Sequence, residues 1–217
     1  MLKKYPTPDK LLHVRKDTLA RLLLKHSGGH FGLAKTIQLI DAAQNTFGIQ
    51  DPYGVYAELI MTYIKQIQSI QKNVASFDEK IAVLMAEIDS PITSISGIGP
   101  TLGAVILSEI GDISRFKSAD KLAAFAGIDP TVKQSGDYSS IKNHMSKRGS
   151  PYLRCAVWMA CNAAVHSDPM FREYYLKKRA QGKNYMVALG HVTKKMVSVI
   201  YAVLRDNAVY QPVMPAA

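Results

Sequence analysis

The clearest hydrophobic pattern in the chain is a heptad repeat that runs from residue 54 to residue 88. Its first apolar position holds Ile60, Ile67, Val74, Ile81 and Ile88, and its second holds Tyr63, Ile70, Phe77 and Leu84. No Pro or Gly interrupts residues 55–88. The pattern therefore predicts a long helix with a coiled-coil seam. The β-branched first position favours two strands, so we expect a homodimer or higher oligomer. The alternative is that the seam pairs with an earlier helix of the same chain.

The flanking segments also have helical patterns. Residues 10–46 predict two short helices, separated at HSGGHFG, where glycines break the periodicity. After Ser90-Pro91 a compact helical domain is expected to continue to about Tyr210. Ser150, Asp168 and Asn184 are expected to cap three of its helices. We therefore predict an all-α fold: a linker and coiled-coil region at 1–90, and a C-terminal domain at 91–217 whose tail frays from Tyr210.

The segment around Gly97-Ile98-Gly99-Pro100 is the most specific local pattern. It predicts a tight turn followed by a helix to about Ile110 and a second helix from Ser118 to Ala126, which together resemble a helix-hairpin-helix element. Glycine lets a backbone approach a partner closely, and amides at a helix start favour an anion. Gly97 and Gly99 are therefore candidate contacts for a DNA phosphate. The alternative is a turn that only packs two helices, with Asp112 as a cap and Phe116 as a core anchor.

Composition and charge narrow the choice of function. The chain has 217 residues, of which 47% are hydrophobic, as in globular proteins. Residues 131–217 contain 13 Lys and Arg against 4 Asp and Glu, so most of the net charge of +10 lies there. A basic module favours a polyanionic partner, usually nucleic acid. We expect no secretory signal, no membrane-spanning segment, a cytoplasmic location, and reduced Cys155 and Cys161 in the core.

A polar, basic, serine-rich loop, DPTVKQSGDYSSIKNHMSKRGSPYLR, lies between the helical segments at residues 129–154. A serine becomes a nucleophile only where its proton is removed and the developing charge is stabilised. The candidate cations for a phosphate are Lys133, Lys142, Lys147, Arg148 and Arg154, and Gly136 leaves room for close approach. Composition does not choose among Ser135, Ser139, Ser140, Ser146 and Ser150, although Ser150 fits a helix cap. A loop without catalysis is the alternative.

Two histidine patterns predict no site. His26 and His30 flank a Gly-Gly turn and are not expected to bind a metal. His191, in ALGHVTKKMVSVIY, precedes Tyr201 by ten residues, which resembles the last motif of tyrosine recombinases. The companion His-x-x-Arg motif is missing upstream, and ten helical residues separate the two side chains by ~15 Å. Tyr201 is therefore interpreted as a core residue and His191 as a surface residue.

Residues 93–165 strongly resemble the C-terminal domain of the insertion-sequence transposases related to the Piv DNA invertase, and a weaker resemblance covers nearly all the rest of the chain. The matching motifs keep the order and spacing of that family. They are Gly97-Ile98-Gly99-Pro100, Glu109-Ile110-Gly111-Asp112, Arg115-Phe116, Gly127-Ile128 with Pro130, Ser135-Gly136, Ser146-Lys147-Arg148-Gly149 and Leu153-Arg154.

The resemblance implies a serine nucleophile within Ser-Gly, here Ser135, and strand exchange guided by a structured bridge RNA. It also implies an N-terminal DEDD-type, RuvC-like domain whose acidic residues hold magnesium. We expect that domain to precede residue 1 and find no substitute acidic cluster, so no metal site is assigned here. The leading hypothesis is the C-terminal part of a DNA transposase, inactive alone. The alternative is a non-enzymatic helix-hairpin-helix module that binds DNA or RNA and dimerises through the heptad helix.

Overall fold

The computed structural model describes residues 1–47, 53–129 and 145–212, together with the backbone of residues 134–135 and 138–139. Helices account for nearly all regular structure in these ranges, which confirms the all-α class. The chain divides into two compact units, Met1–Ser76 and Phe77–Ala217. The predicted boundary at residue 90 stays a prediction.

Three short helices pack together in the first unit: α1 (Pro8–Leu12), α2 (Lys16–His26) and α3 (Leu33–Gln44). Thr7 caps α1, and Leu11, Leu19 and Ala43 form the small core. Gly28 and Gly29 have positive φ values of 60° and 92°, which places a turn where the sequence predicted a break. Helices α2 and α3 are therefore the two helices expected at residues 10–46.

Helix α4 (Val55–Ile88) is a single helix of 34 residues. Most of its heptad side chains are exposed: Ile67, Val74 and Phe77 retain 53%, 51% and 63% of their accessible surface. Towards the C-terminal end, Ile81 packs against the core of the second unit. The long helix is thus as expected, whereas a coiled-coil contact stays a prediction.

In the second unit, the described residues after α4 form five α-helices. They are α5 (Pro100–Ile110), α6 (Ala119–Ala126), α7 (Pro151–Ser167), α8 (Pro169–Ala180) and α9 (Tyr185–Asp206). Short 3-10 helices lie at Pro91–Ser94 and Ile113–Arg115. Two-residue strands, β1 (Gln134–Ser135) and β2 (Tyr138–Ser139), pair antiparallel.

Helix α9 is the central element of this unit and packs against α6, α7 and α8. The sequence was expected to contain no segment that is long and apolar enough to span a membrane. That expectation was wrong, because Tyr185–Asp206 has the length and the apolar composition of such a segment. Its apolar residues contribute instead to the core of the helical unit. The buried side chains are Ala188, Leu189, Val192, Thr193, Met196, Val197, Ile200 and Val203.

The predicted caps are confirmed. The side chains of Ser150, Asp168 and Asn184 accept hydrogen bonds from backbone amides in the first turns of α7, α8 and α9. Asp112 caps the 3-10 helix at Ile113–Arg115, and Phe116 is buried with its ring centroid 5.3 Å from that of Phe125.

The tail was expected to fray from Tyr210, and for Tyr210 itself that expectation was wrong, whereas residues 213–217 of the tail lie outside the described residues. The hydroxyl of Tyr210 donates to Oδ2 of buried Asp168 at 3.1 Å, and its amide donates to Oγ of Ser94 at 2.8 Å. The Tyr210 ring also stacks on Phe171. Burial and the neighbouring carboxylate raise the pKa of the Tyr210 phenol. Tyr210 thus fastens the segment after α9 to α8.

Candidate nucleic-acid interface

The motif Ser146-Lys147-Arg148-Gly149 is fixed against the C-terminal end of α6 by hydrogen bonds. The amide of Ser146 donates to the Asp129 carbonyl at 2.8 Å, and the amide of Lys147 donates to the Gly127 carbonyl at 3.0 Å. The amide of Ser150 donates to the carbonyl of Phe125 at 2.8 Å. These bonds give the cationic motif a defined position beside the start of α7.

Two glycines allow this close contact. Gly149 has φ +121°, and a Cβ there would overlap the carbonyl oxygen of Phe125. Gly127 has φ +66°, and a Cβ there would lie 2.5 Å from the carbonyl oxygen of Arg148. Any other residue would be strained at either position and would push the motif away from α6.

The predicted cations have different environments. Lys147 has a left-handed backbone with φ 54°, which is uncommon for a residue with a side chain. Arg148 is exposed. Arg154 is half-buried, and its Nη1 donates to the carbonyl of Ala126 at 3.0 Å, so it also joins α7 to α6. The other predicted loop residues, Lys133, Gly136 and Lys142, lie outside the described residues.

The structure distinguishes among the five serines. Oγ of Ser146 donates to Oδ1 of Asp129 at 2.6 Å, and Oγ of Ser150 donates to Oε2 of Glu109 at 2.6 Å. Both hydroxyls are therefore engaged in contacts that hold the fold. The backbone of Ser135 pairs with Tyr138, and that of Ser139 pairs with Gln134. The side chains of Ser135 and Ser139, and all of Ser140, lie outside the described residues.

Gly97 and Gly99 have different roles in the turn before α5. Gly97 has φ +88°, and a Cβ there would overlap the carbonyl oxygen of Ala160 and lie 2.9 Å from the amide nitrogen of Ala164. Its lack of a side chain is thus required for packing against α7. Gly99 is exposed, and a Cβ added there would meet no atom within 4 Å.

The helix-hairpin-helix assignment stays a prediction, as do the phosphate contacts of Gly97 and Gly99. The two helices predicted after the turn are present as α5 and α6, and a four-residue 3-10 helix, Pro91–Ser94, precedes the turn. At the first turn of α5, the hydroxyl of Thr101 donates to a carboxylate oxygen of Asp78 at 3.3 Å. That carboxylate places negative charge where a phosphate was expected, which opposes anion binding at this helix start.

A second basic cluster on α8 and α9 was not singled out from the sequence. The Tyr174 ring lies 5.3 Å from Nζ of Lys178 and 4.9 Å from Nζ of Lys195. Partial burial, together with the positive charges of Lys178 and Lys183, lowers the pKa of His191. Lys178 and Lys183 are therefore close enough to His191 to disfavour its protonated form. The only sequence signal was the run Lys177-Lys178-Arg179, which lies in the last turn of α8.

The structure gives Tyr201 a role in the core. Its hydroxyl donates to the carbonyl of Phe116 at 3.1 Å, and its ring packs against the main hydrophobic cluster. His191 is exposed on the same helix. These contacts agree with the interpretation that Tyr201 is a packing residue rather than a nucleophile.

Within the described residues, no group of three or more His, Cys, Asp or Glu side chains is arranged to hold a metal ion. The magnesium implied by the family resemblance thus has no fitting donor set in this part of the chain, and no chemical step is assigned to it here. Both cysteines are free thiols, but only Cys161 is buried. Placing Cys155 in the core was therefore wrong.

Comparison with known proteins defines the class. Residues 89–176 match the Transposase IS116/IS110/IS902 family. The match spans the turn before α5, the cationic motif at 146–149 and helix α7. It confirms the resemblance of this part of the chain to an insertion-sequence transposase family.

Individual relatives agree with this class. The chain is 28% identical over its whole length to the uncharacterized 43.6 kDa protein of insertion element IS110 from Streptomyces coelicolor, covering 53% of that protein. It is 29% identical over its whole length to the uncharacterized 42 kDa protein of insertion element IS900 from Mycobacterium paratuberculosis, covering 55%. Over 54% of the chain it is 31% identical to the pilin gene-inverting protein of Moraxella bovis, covering 37%. The chain thus spans about half the length of the first two relatives.

Proposed function

We propose that this chain is the DNA-binding and strand-joining part of a DNA transposase or recombinase. The observation that carries the proposal is the match of residues 89–176 to a transposase domain. The name of the Moraxella bovis relative, a pilin gene-inverting protein, adds support because it describes DNA inversion. A cytoplasmic location, with access to the chromosome, accompanies this proposal.

The proposed DNA-binding surface consists of Lys147 and Arg148 in the motif that follows the serine loop, and of Lys178, Lys183 and Lys195 on the α8–α9 side. These cations lie within residues 131–217, which contain 13 Lys and Arg against 4 Asp and Glu. Lys and Arg contacts to phosphates supply sequence-independent affinity and fix the position of a protein on DNA. Structured guide RNA, whose phosphates make the same contacts, is the second proposed partner.

Ser135 is the proposed nucleophile. Its oxygen would attack the phosphorus of a DNA phosphodiester, its proton would leave to a base, and a sugar hydroxyl would be released as the strand breaks. The product would be a phosphoserine link that a second strand end can attack. Two observations support Ser135 over the other serines of the loop: among them only Ser135 is followed by a glycine, as in the Ser-Gly motif of the family, and Ser146 and Ser150 are bonded to Asp129 and Glu109.

Association of two or more copies through α4 is the remaining part of the proposal. The exposed apolar row on this helix includes Tyr63, Ile67, Ile70, Val74 and Phe77. A second copy of the helix in coiled-coil register would cover the whole row. Strand exchange joins ends from two DNA sites, and a dimer would provide one serine loop for each of two strands.

The test of this function is a covalent adduct. The chain, joined to the N-terminal domain that the resemblance implies and supplied with magnesium, guide RNA and labelled DNA, should give a DNA-linked protein band on a denaturing gel. Ser135→Ala should abolish the band, whereas Ser198→Ala, a change of an exposed serine on α9, should leave it. An adduct that persists in Ser135→Ala, or a linkage mapped to Tyr201, would overturn the assignment.

A further inference from the structure

Within the described part of the second unit, α7, α9 and the segment around residue 147 line an open cavity of about 770 Å³. Pockets that bind small organic molecules have volumes of roughly 300–1,000 Å³. The apolar part of the lining comprises Ile128, Met145, Trp158 and Met186. Trp158 is half-buried and is the single tryptophan of the chain. An aromatic ring in a pocket of this size provides a surface for a flat, π-rich group.

The other part of the lining is cationic. Lys147, Arg154 and Lys194 all border the cavity. Nζ of Lys194 lies 3.2 Å from a carboxylate oxygen of Asp120, so part of its charge is neutralised, whereas Lys147 has no salt bridge among the described residues. The lining thus combines an aromatic ring with cationic side chains, which matches a ligand that has a planar base and a phosphate.

Packing does not require a glycine at position 190. Gly190 lies inside α9 and lines the cavity, and a Cβ there would have nothing within 4 Å. Glycine in a helix interior costs about 1 kcal/mol relative to alanine. The glycine therefore lowers helix stability without a steric need, and the missing side chain leaves more room in the cavity that Gly190 lines. His191, next in sequence, also lines it, and its lowered pKa favours the neutral imidazole, which can both donate and accept hydrogen bonds.

We propose that this cavity binds one unpaired nucleotide of a nucleic-acid strand, with its base stacked on Trp158 and its phosphate beside Lys147 and Arg154. The inference rests on the proposed function and adds to it a subsite for a base taken out of a duplex or supplied by a single-stranded region. The ring of Trp158 accepts any base, because every base has a π-face. The site therefore selects unpaired over paired nucleotides rather than one sequence over another.

The experiment uses the intact 217-residue chain and three DNA duplexes that differ only at their centre. One is fully paired, one has a single bulged adenosine, and one has an abasic bulge of the same backbone. Binding is measured by anisotropy of a label at the duplex end, and stacking by the emission of Trp158 under selective tryptophan excitation. We expect the bulged base to quench the emission and to bind about tenfold more tightly than the abasic bulge, the effect of one base stacked on an aromatic ring.

Gly190→Leu is the decisive variant. The added side chain should narrow the cavity and remove the preference for the bulged base. Since leucine favours helix more than glycine does, the variant should melt no lower than the unmodified chain. A second readout is alkylation of Cys155, which is exposed and borders the cavity; the bulged duplex should slow it more than the paired duplex. Repeating the titration with the same bulge in an RNA duplex, and comparing the two affinities, shows whether DNA or RNA supplies the nucleotide.

Equal affinities for the base and abasic bulges with unchanged Trp158 emission would overturn the cavity assignment, as would a preference that survives in Gly190→Leu. Either result leaves the proposed function intact if all three duplexes still bind in a salt-dependent way. Absence of binding to every duplex would instead contradict the proposed function itself. The two failures are therefore distinguishable in one set of titrations.

Discussion

Oγ of Ser150 lies 2.6 Å from Oε2 of Glu109 and also accepts a hydrogen bond from the amide of Leu153 at 3.0 Å. A single hydroxyl thus caps α7 and links it to α5. Because both helices are part of the matched transposase domain, this pair helps to hold the cationic motif at 146–149 in place. Ser150, the last serine of the polar loop, therefore has a structural role, which leaves fewer candidates for the nucleophile.

Ser150→Ala should lower the free energy of unfolding by about 1 kcal/mol, the usual effect of losing an N-cap side chain. The lost bond to Glu109 can add to this. Urea denaturation followed by circular dichroism measures the change. Ser198→Ala is the control, since its exposed hydroxyl bonds only to the Lys194 carbonyl of its own helix. Equal stability of the two variants would mean that the Ser150 bonds contribute nothing.

Gly97→Ala should destabilise the second unit by about 2–4 kcal/mol, because the new methyl group meets backbone atoms of Ala160 and Ala164 and φ is +88°. Gly99→Ala is the matched change two residues away. It should cost less than about 1 kcal/mol, since its Cβ meets open space at an N-cap position. Thermal melting compares the pair, and equal losses would contradict the packing role given to Gly97.

Charges on the exposed seam of α4 should prevent self-association. The double variant Ile67→Asp with Val74→Asp should be monomeric at micromolar concentration by light scattering, while the unmodified chain is a dimer or larger. Ser69→Asp with Ser76→Asp places the same charges on the same helix outside the seam and should leave the assembly unchanged. A monomeric unmodified chain would disprove the coiled-coil prediction.

The two thiols should differ sharply in reactivity. Burial raises the pKa of Cys161 to about 12, so at neutral pH this thiol stays protonated as well as inaccessible. Cys155 is exposed. Because only the thiolate is alkylated, native protein near neutral pH should take up one iodoacetamide at Cys155, and unfolded protein should take up two. Mass spectrometry gives the stoichiometry, and native modification of Cys161 would contradict the burial of its side chain.

The features that could be predicted from the sequence are local ones. Ser150-Pro151 and Asp168-Pro169 each contain a cap and a first helical residue within two positions, so a short window of sequence is sufficient. The heptads similarly specify one long helix without reference to the rest of the chain. The turn at Gly97 was predicted, but not the reason for its glycine, because α7, which it touches, is some sixty residues away in sequence.

Features formed by distant residues were missed for the same physical reason. Tyr210 is anchored by Ser94 and Asp168, and no pattern near residue 210 indicates either partner. The lysines around Tyr174 come together only because α8 packs on α9, and the cavity at Trp158 exists only between elements that are separate in sequence. Side-chain roles in the serine loop were taken from the family resemblance, and Ser135 remains a prediction.

Salt-dependent DNA binding by the intact chain tests the central claim most directly. Anisotropy titrations of a labelled duplex between about 50 and 300 mM NaCl should give a linear fall of log affinity with log salt. Replacing Lys178, Lys183 and Lys195 by alanine should weaken binding and reduce the slope by roughly 2–3, since each lost phosphate contact changes it by about 0.9. Replacing Lys35, Lys65 and Lys72, which are exposed on α3 and α4, should change the slope by less. Affinity that does not depend on salt, or an equal effect of both triple variants, would contradict the claim that the second unit binds nucleic acid through this surface.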